Sequence, residues 1–496
     1  MKHPTASRRR PCPLPPSFRP RLVRPGAALT VVLALAVFSA GCVTRDFQGS
    51  KLDPALTGNL PEHWTAANIR IPDTAATGWL ADFDTPVLLD LARSATGENY
   101  DLAATAARVK TALARAKIAN ADRLPQFEAN QTNSRSQNLR GSTFTTVTAN
   151  VFSTGLDLSW EFDLWGRVAN LRKAALKELD AADADYQAAR LSLAATVARA
   201  AIDLVEAKRQ ADLSRENLKS LQTNLDILDR KLEAGDADDR TPLDISLSRA
   251  DVARARSAIS QQEQQADAAR RFLETLLGRY PEGEIEALTD LPAVKRGIPA
   301  GLPSELLLRR PDLVAAEARI DARFHEVAAA RKALLPGVRI TGSAGTSTTR
   351  EFADLFDIRN LVWNIGNGLA QPVFEGGRLL ANVELSEAAR DEAAHQYAEA
   401  ALTAFREVET ALAAERYYGE QQTALAEAVE EAGRAEELSR GQYERGLVDI
   451  ITLLESQRRA FDARAALLQL RADRLRNRVD LHLALGGDFD SPPETP

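Results

Sequence analysis

The sequence predicts a mainly helical protein with membrane-type β-strands, built from two copies of one structural unit. Three observations lead to this fold class: residues that recur at a constant separation, very long helical segments, and four short segments of alternating polarity. The chain has 496 residues, of which 45% are hydrophobic and 26% charged. That composition supports packed helices and argues against general disorder.

The first 41 residues are expected to be a signal peptide. Residues 1–24 carry seven Lys/Arg and no acid, residues 27–38 form an apolar run, and small residues precede Cys42. This order defines secretory signals, and the apolar run is too short for a transmembrane helix. The Ala-Gly-Cys ending resembles a bacterial lipobox, which implies that Cys42 becomes the lipidated first residue of an N-terminal segment, 42–84. A non-lipidated export signal is the alternative.

The rest of the chain contains an internal repeat. Matched residues are separated by 211 positions, as in these pairs: Leu124 and Leu335, Arg167 and Arg378, Tyr186 and Tyr397, Gly235 and Gly446, and Asp251 and Asp462. A constant separation indicates two copies of one unit without insertions between the matched points. The expected first repeat covers residues 85–278 and the second 304–486. A Gly/Pro-rich connector at 279–303 joins them, and 487–496 is a tail.

Each repeat is expected to contain three helices and two strands in the same order. In the first repeat the helices are expected at about 85–122, roughly 167–234 and about 242–278. In the second repeat they are expected at about 304–333, roughly 378–444 and about 449–485. Heptad-like apolar spacing supports the first helix, and a proline ends it. A helix of about 67 residues is roughly 100 Å long at 1.5 Å per residue, which suits a protein that crosses a wide compartment.

Four segments are expected to be strands: about 124–137, 152–164, 336–349 and 363–374. In the second of them, Leu156, Leu158 and Trp160 alternate with Asp157 and Ser159. Alternation of apolar and polar residues over about ten positions is typical of transmembrane barrel strands. A soluble hairpin with one buried face is the alternative for any single strand. Four such strands in a chain with a lipobox favour the membrane.

Four strands cannot close a barrel in lipid, because the open sheet edges would leave backbone groups unpaired. The chain is therefore expected to oligomerise. Two copies would give eight strands, whose interior is only wide enough for side chains. If the barrel is to be open enough to conduct, three copies and twelve strands are favoured.

Three stretches of the sequence resemble a known family: 301–313 (GLPSELLLRRPDL), 159–167 (SWEFDLWGR) and 443–449 (YERGLVD). The chain is similar to TolC-type outer-membrane factors, in particular the lipidated branch that partners resistance-nodulation-division pumps. The resemblance covers about residues 60–486. It implies a homotrimer whose twelve-stranded β-barrel continues into an α-helical barrel.

The same resemblance implies a location and a function. Val43 is not the aspartate typical of inner-membrane retention, so the chain is expected in the outer membrane, lipid-anchored and extending into the periplasm. It would be the exit duct of a tripartite efflux pump, passively passing drugs or other small toxic compounds. Its expected partners are two further copies, a periplasmic adaptor protein, the inner-membrane pump and outer-membrane lipid. A channel for type I protein secretion and a periplasmic coiled-coil scaffold are the alternatives.

The periplasmic helix tips are where gating residues are expected. Family members close the pore there, and Asp449 and Glu455 match acidic positions of the lipidated branch. In a trimer each would form a ring of three carboxylates, an arrangement that selects cations in pores. The simpler alternatives are that Asp449 caps a helix and that Glu455 is a solvated acid. Tyr443 would either hydrogen-bond across the closed tip or pack within the coiled coil.

A second set of tip residues is expected to contact the adaptor. It comprises both turn glycines and the acids of the first tip: Gly235, Asp236, Asp244 and Gly446. Asp244 is the first-repeat counterpart of Glu455, because the two are 211 positions apart.

Composition and motifs exclude other classes of function. Removal of the signal leaves 55 basic against 69 acidic residues, a formal charge of −14, which argues against nucleic-acid binding. The five histidines are scattered without metal-ligand spacing, and there is neither a phosphate-binding loop nor a nucleophile motif. The sequence therefore predicts no catalytic residue, metal or cofactor.

Overall fold

The computed structural model describes residues 64, 78–83, 85–140, 145–235, 241–286, 288–294 and 307–487. The signal peptide, Cys42 and Asp236 lie outside these residues. Within the described part, the helices are α1 (Pro86–Glu98), α2 (Tyr100–Ala121), α3 (Arg167–Glu233), α4 (Thr241–Leu276), α5 (Pro311–Lys332), α6 (Arg378–Glu444) and α7 (Ile450–Ala484). The strands are β1 (Gln126–Arg140), β2 (Thr145–Phe162), β3 (Gly337–Thr348) and β4 (Leu361–Ala370).

The two repeats have closely matching helices. Helices α3 and α6 both contain 67 residues, and α2 and α5 both contain 22. Each pair begins 211 positions apart. The last helices differ: α4 ends at Leu276 and α7 at Ala484, a separation of 208. The repeat is therefore constant through the long helices and shortens by three residues along the final one.

The expectation of one continuous first helix is wrong in both repeats. The backbone of Asn99 is extended, with φ −70° and ψ 125°, and this residue separates α1 from α2. Its side chain accepts hydrogen bonds from the amides of Asp101 and Leu102, at 2.9 and 3.0 Å. Such a cap satisfies amide donors at the start of a helix. In the second repeat Arg310, the residue before Pro311, is extended at the equivalent place, as expected for a residue before proline.

The strands form one antiparallel sheet in the order β1–β2–β3–β4. Gln126 pairs with Ser159 in the first hairpin, and Gly337 pairs with Ala370 in the second. These pairs are related by 211 positions, so both hairpins have one register. Strand β2 begins earlier than expected, and β4 ends at Ala370, before Phe374.

One face of the sheet is apolar and the other polar. The apolar face carries Phe127, Leu156, Leu158, Trp160, Phe162, Val338, Ile340, Trp363, Ile365 and Leu369. The opposite face carries Glu128, Asn130, Asp157, Ser159, Glu161, Arg339, Thr341 and Asn364. Along β2 the apolar face extends from Phe162 to Phe152, roughly 33 Å at about 3.3 Å per residue. Strands tilted as in membrane barrels would span a hydrocarbon layer with this length.

The helices enclose their main core midway along α3. A 3-10 helix, Trp79–Phe83, packs there with α1, α3 and α7. Its residues Trp79, Leu80 and Phe83 are fully buried. A second core joins α5, α6 and α7 around Tyr397, and Trp64 packs into it. Among the described residues, no helix has both the length and the apolar character needed to span a bilayer.

Candidate functional site

The helix tips turn at two glycines of left-handed conformation. Gly235 has φ +74° and Gly446 has φ +72°, a region where side chains other than glycine are disfavoured. A Cβ atom at either position would meet nothing within 4 Å, so conformation rather than space requires glycine. After α6, the amide of Leu447 donates to the carbonyl of Gln442 at 2.9 Å, which closes the helix in the manner of a Schellman turn.

A small apolar cluster holds the two tips of the chain together. It contains Leu228 of α3, Ile245 of α4, Tyr443 of α6, and Ile450 and Leu453 of α7. All five side chains are at least nine-tenths buried. The tips expected to act separately, one as aperture and one as adaptor surface, therefore share one core.

Tyr443 lies in this cluster and is 7% exposed. The Lys231 Nζ lies 4.9 Å from the centre of its ring. Burial raises the pKa of the Tyr443 hydroxyl, and the negative charge of Asp244 raises it further. Within the described part of the chain, this hydroxyl has no hydrogen-bond partner. Within this chain Tyr443 is thus a packed tyrosine that lies close to Asp244.

Asp449 is the N-cap of α7. Its carboxylate accepts hydrogen bonds from the amide of Thr452 at 2.8 Å and from the hydroxyl of Thr452 at 2.7 Å. Aspartate is among the residues favoured at this position because it satisfies a free amide of the first turn. Asp449 therefore has a structural role that would be present with or without an aperture role.

Glu455 lies six residues, or nearly two turns, beyond Asp449 on α7, and two arginines of the same helix flank its carboxylate. Arg458 approaches its carboxylate to 2.8 Å and Arg459 to 2.9 Å. Hydrogen bonds from both guanidinium groups lower the pKa of Glu455, so it stays ionised at neutral pH. Arg458 and Arg459 are 64% and 72% exposed. This part of the tip consequently presents basic as well as acidic groups. The sequence analysis predicted only the acidic ones.

A buried polar layer lies behind the tip cluster. Asn224 of α3 donates to Gln457 of α7 at 2.6 Å, and Gln457 donates to Ser220 at 3.0 Å. Asn224 is 5% and Gln457 3% exposed. These residues line a cavity of about 470 Å³ between α3 and the α6–α7 pair. The sequence analysis did not predict this layer. It could have been recognised from polar residues at positions where a coiled coil places apolar ones.

On one side of the same cavity, α6 and α7 are joined by charge. Glu436 of α6 pairs with Arg440 at 3.0 Å and with Arg464 of α7 at 3.1 Å. Its side chain is 14% exposed. The helix pair α6–α7 is thus held together here by an ion pair, while Gln457 of α7 joins it to Asn224 of α3 by a neutral hydrogen bond.

The motif at 309–312 forms a joint far from the tips. Arg310 makes ion pairs with Asp312 at 2.8 Å and Glu407 at 2.6 Å, and donates to the carbonyl of Ala484 at 3.1 Å. Gly486 allows this approach, because a Cβ there would lie 2.9 Å from the Arg310 backbone. This joint therefore connects the start of α5 with α6 and the end of α7.

A two-faced sheet with unpaired edges, joined to helices of 67 residues, defines a channel-forming protein of the outer-membrane type. The family model described as outer membrane efflux protein matches residues 91–279 and 302–487, which cover the second repeat and all but the first six residues of the first. The chain belongs to the outer membrane efflux protein family and is an outer-membrane exit duct for efflux.

Similar proteins cover more than four-fifths of the chain. The pyoverdine export outer membrane protein OpmQ of Pseudomonas aeruginosa is 35% identical over 421 residues, 83% of this chain and 88% of that protein. The toluene efflux pump outer membrane protein TtgF of Pseudomonas putida is 31% identical over 425 residues, 85% of this chain and 88% of that protein. The open state of the Neisseria gonorrhoeae outer membrane channel MtrE has a TM-score of 0.77 at 28% identity, covering 90% of this chain and 99% of that one.

Proposed function

We propose that the chain works as a homotrimer, the exit duct of a tripartite efflux pump. This proposal rests mainly on the four-stranded sheet. Its apolar face and open edges suit a membrane barrel that other copies complete. Helices α3 and α6, each of about 67 residues, would extend this barrel by roughly 100 Å into the periplasm. A coiled-coil scaffold without a pore would not need a two-faced sheet.

The partners follow from the same architecture. A periplasmic adaptor would contact the tips at Gly235, Asp236, Asp244 and Gly446, and connect the duct to an inner-membrane resistance-nodulation-division pump. Acylated Cys42 would anchor the chain to the outer-membrane lipid. Relatives named for pyoverdine and for toluene support small compounds, including drugs, as cargo rather than the polypeptides of type I secretion.

We further propose that Asp449, Glu455 and Tyr443 control the periplasmic aperture. In a trimer, Glu455 would form a ring of three carboxylates, each accompanied by Arg458 and Arg459. Repulsion between like charges would oppose closure, and the arginines would offset it. Tyr443 would act indirectly, by fixing the tip of α6 against α4.

Single-channel conductance of the purified mature protein in planar bilayers tests the duct and the aperture together. Wild-type protein is expected to show small, cation-selective conductance. The variant Glu455→Gln is expected to lower the preference for cations, because it removes the charge and retains the shape. Absence of any conductance from properly assembled protein would argue against the duct.

Asp449 needs a pair of variants, because it is both a charge and a cap. Asparagine is nearly as good an N-cap as aspartate, whereas alanine is not. If the charge matters, Asp449→Asn and Asp449→Ala should change the conductance alike. If only the cap matters, Asp449→Asn should behave as wild type and Asp449→Ala should not, and this outcome would remove Asp449 from the aperture.

A further inference from the structure

A folded segment, residues 349–360, joins β3 to β4. It contains two short 3-10 helices, Phe352–Phe356 and Ile358–Asn360. The carboxylate of Asp357 lies between them and accepts a hydrogen bond from the amide of Arg359 at 2.9 Å, which caps the second helix. The β3–β4 segment therefore has a defined shape, and its fold sets the direction of each side chain.

The β3–β4 segment lies at the end of the sheet that is remote from the helices. Helix α5 ends shortly before β3, and α6 begins shortly after β4, so both helices connect to the opposite end. In the proposed duct the helices extend into the periplasm, and the segment therefore lies towards the outer surface of the membrane. The first hairpin differs here, because β1 and β2 continue as paired strands to Arg140 and Thr145.

Two threonines of β3 hold the segment on the apolar side of the sheet. Thr348 pairs with Phe152 of β2, and directly paired residues have their side chains on the same face. Thr346, two residues earlier, shares that face. The hydroxyl of Thr346 donates to the carbonyl of Leu355 at 2.6 Å, and the hydroxyl of Thr348 donates to the carboxylate of Asp354 at 3.4 Å. The segment therefore folds back over the apolar face.

Three phenylalanine rings lead from the sheet to the surface of the segment. Phe352 meets Phe152 edge to face with centroids 6.0 Å apart, and Phe356 meets Phe352 in the same way at 6.3 Å. Leu355 is 4% exposed, whereas Phe356 is 84% and Ile358 73% exposed. Two large apolar side chains thus project from a segment that is otherwise packed on the sheet.

The apolar face gives the height of the segment in a bilayer. Its length along β2, from Phe162 to Phe152, is roughly 33 Å at about 3.3 Å per residue. Barrel strands are tilted by about 35–45°, so this length corresponds to roughly 25 Å across the membrane, the height of the apolar band in outer-membrane barrels. Phe152 therefore marks the outer boundary of the band. The segment that packs on Phe152 lies at that boundary, on the side of the sheet that would face lipid.

We propose that the β3–β4 segment anchors the barrel at the membrane interface, with Phe356 and Ile358 inserted among the acyl chains of the outer leaflet. This inference rests on the proposed function, because it requires the apolar face of the sheet to face lipid. The segment is continuous with that face and lies at its edge, which favours lipid as the occupant. Insertion is favourable because it removes exposed apolar surface from water.

The charged residues of the segment are compatible with this position. Arg359 is exposed, but its Nε lies 2.9 Å from the carboxylate of Asp357, so the two charges form a pair. Arg350 and Glu351 adjoin each other at the start of the segment and are also exposed. Charges beside aromatic side chains are typical of the level at which polar headgroups meet hydrocarbon.

Fluorescent probes and quenchers attached to lipid test the anchor. The variants Phe356→Cys, Trp363→Cys and Asn364→Cys are each labelled with a polarity-sensitive fluorophore. The purified trimers are then reconstituted into phosphatidylcholine vesicles in which some lipids carry a nitroxide on the acyl chain, either near the headgroup or near the chain end. The unsubstituted protein, treated in the same way, measures any labelling of Cys42.

Trp363 and Asn364 are matched controls, because they are neighbours on opposite faces of β4. Trp363 pairs with Ala344, which pairs with Leu156 near the middle of the apolar band. The Trp363→Cys probe is expected to lose fluorescence to nitroxides deep in the chain, whereas the Asn364→Cys probe, in the lumen, should be unaffected. The Phe356→Cys probe is expected to show blue-shifted emission and to be quenched most strongly by nitroxides near the headgroup.

The outcomes separate the anchor from the proposed function. Quenching of the Trp363→Cys probe without quenching of the Phe356→Cys probe would overturn the anchor and keep the barrel. In that case, blue-shifted emission from Phe356→Cys would place the residue against a neighbouring copy, and unshifted emission would place it in water. Equal quenching of the Trp363→Cys and Asn364→Cys probes would mean that the sheet has no lipid-facing side, and would overturn the proposed function itself.

Discussion

His482 lies where the N-terminal segment docks on the helices. The Nε2 atom of His482 lies 3.2 Å from a carboxylate oxygen of Asp82, and the two side chains are 3% and 0% exposed. The ring of Trp79 stacks on the imidazole with centroids 5.3 Å apart. Arg478, 3% exposed, is a further buried charge on the same helix, and Glu415 of α6 faces it. One titratable ring is thus enclosed by groups of both signs.

This environment predicts an acid-sensitive dock. Burial lowers the pKa of His482 most strongly, and the positive charge of Arg478 lowers it further, against the effect of Asp82. The unfolded chain therefore binds a proton near pH 6.5 that the folded chain does not, so stability falls as pH drops below that value. The midpoint temperature of thermal denaturation of the wild-type protein should fall between pH 7 and pH 5. For His482→Gln this midpoint should fall less. An equal fall in both proteins would show that protonation of His482 is not the cause.

At the scale of the element, the turn after α6 depends on one backbone conformation. Gly446→Ala should destabilise the protein by about 1–2 kcal/mol, because L-residues resist the left-handed region. The matched control is Gly441→Ala, five residues earlier in the helix, where a Cβ meets nothing within 4 Å and alanine should stabilise by about 0.5–1 kcal/mol. Denaturant unfolding of the detergent-solubilised protein measures both. Equal effects of the two variants would show that conformation is not the reason for glycine at 446.

In the sheet, two glycines face each other where β2 and β3 approach closely. Gly155 pairs with Gly345. A Cβ on Gly345 would lie 2.2 Å from the carbonyl oxygen of Thr154 and 2.5 Å from the Cα of Gly155. Backbone atoms cannot move aside as a flexible side chain can, so even alanine must separate the strands.

Gly345→Ala should therefore reduce the yield of heat-modifiable trimer in outer-membrane fractions. Gly368→Ala is the matched control, since it lies in the same sheet and a Cβ there meets nothing within 4 Å. Quantitative gels of heated and unheated samples compare the two variants. A normal trimer yield from Gly345→Ala would mean that the sheet tolerates the separation.

At the scale of the whole molecule, the sheet and the proposed lipid anchor at Cys42 would be separate attachments to the membrane. Cys42→Ser should abolish incorporation of radiolabelled palmitate, because the acylated thiol is removed. The barrel should still assemble in the outer membrane, since its own apolar face interacts with lipid. Label on the Cys42→Ser protein would refute the lipid assignment. Loss of the protein from the outer membrane would show that the anchor is needed for assembly.

The sequence by itself determined the architecture of the repeat. The long helices were expected at roughly 167–234 and 378–444, and α3 and α6 cover Arg167–Glu233 and Arg378–Glu444. The alternation of apolar and polar residues along the strands was equally evident from the sequence. Both signals are local, because helical and strand periodicity appear within a few turns or pleats of chain, and glycine marks each end of the long helices.

Only the tertiary structure decided what the site residues touch. Tyr443 packs with Leu228 and Ile245, and Gln457 bonds Asn224. Asn224 and Gln457 are 233 positions apart, so no local pattern could pair them. The break at Asn99 is a further case, since its side-chain Nδ2 donates to the carbonyl of Leu276 at 2.9 Å. Periodicity states which face of a helix is buried, whereas the partner on that face depends on how distant segments pack.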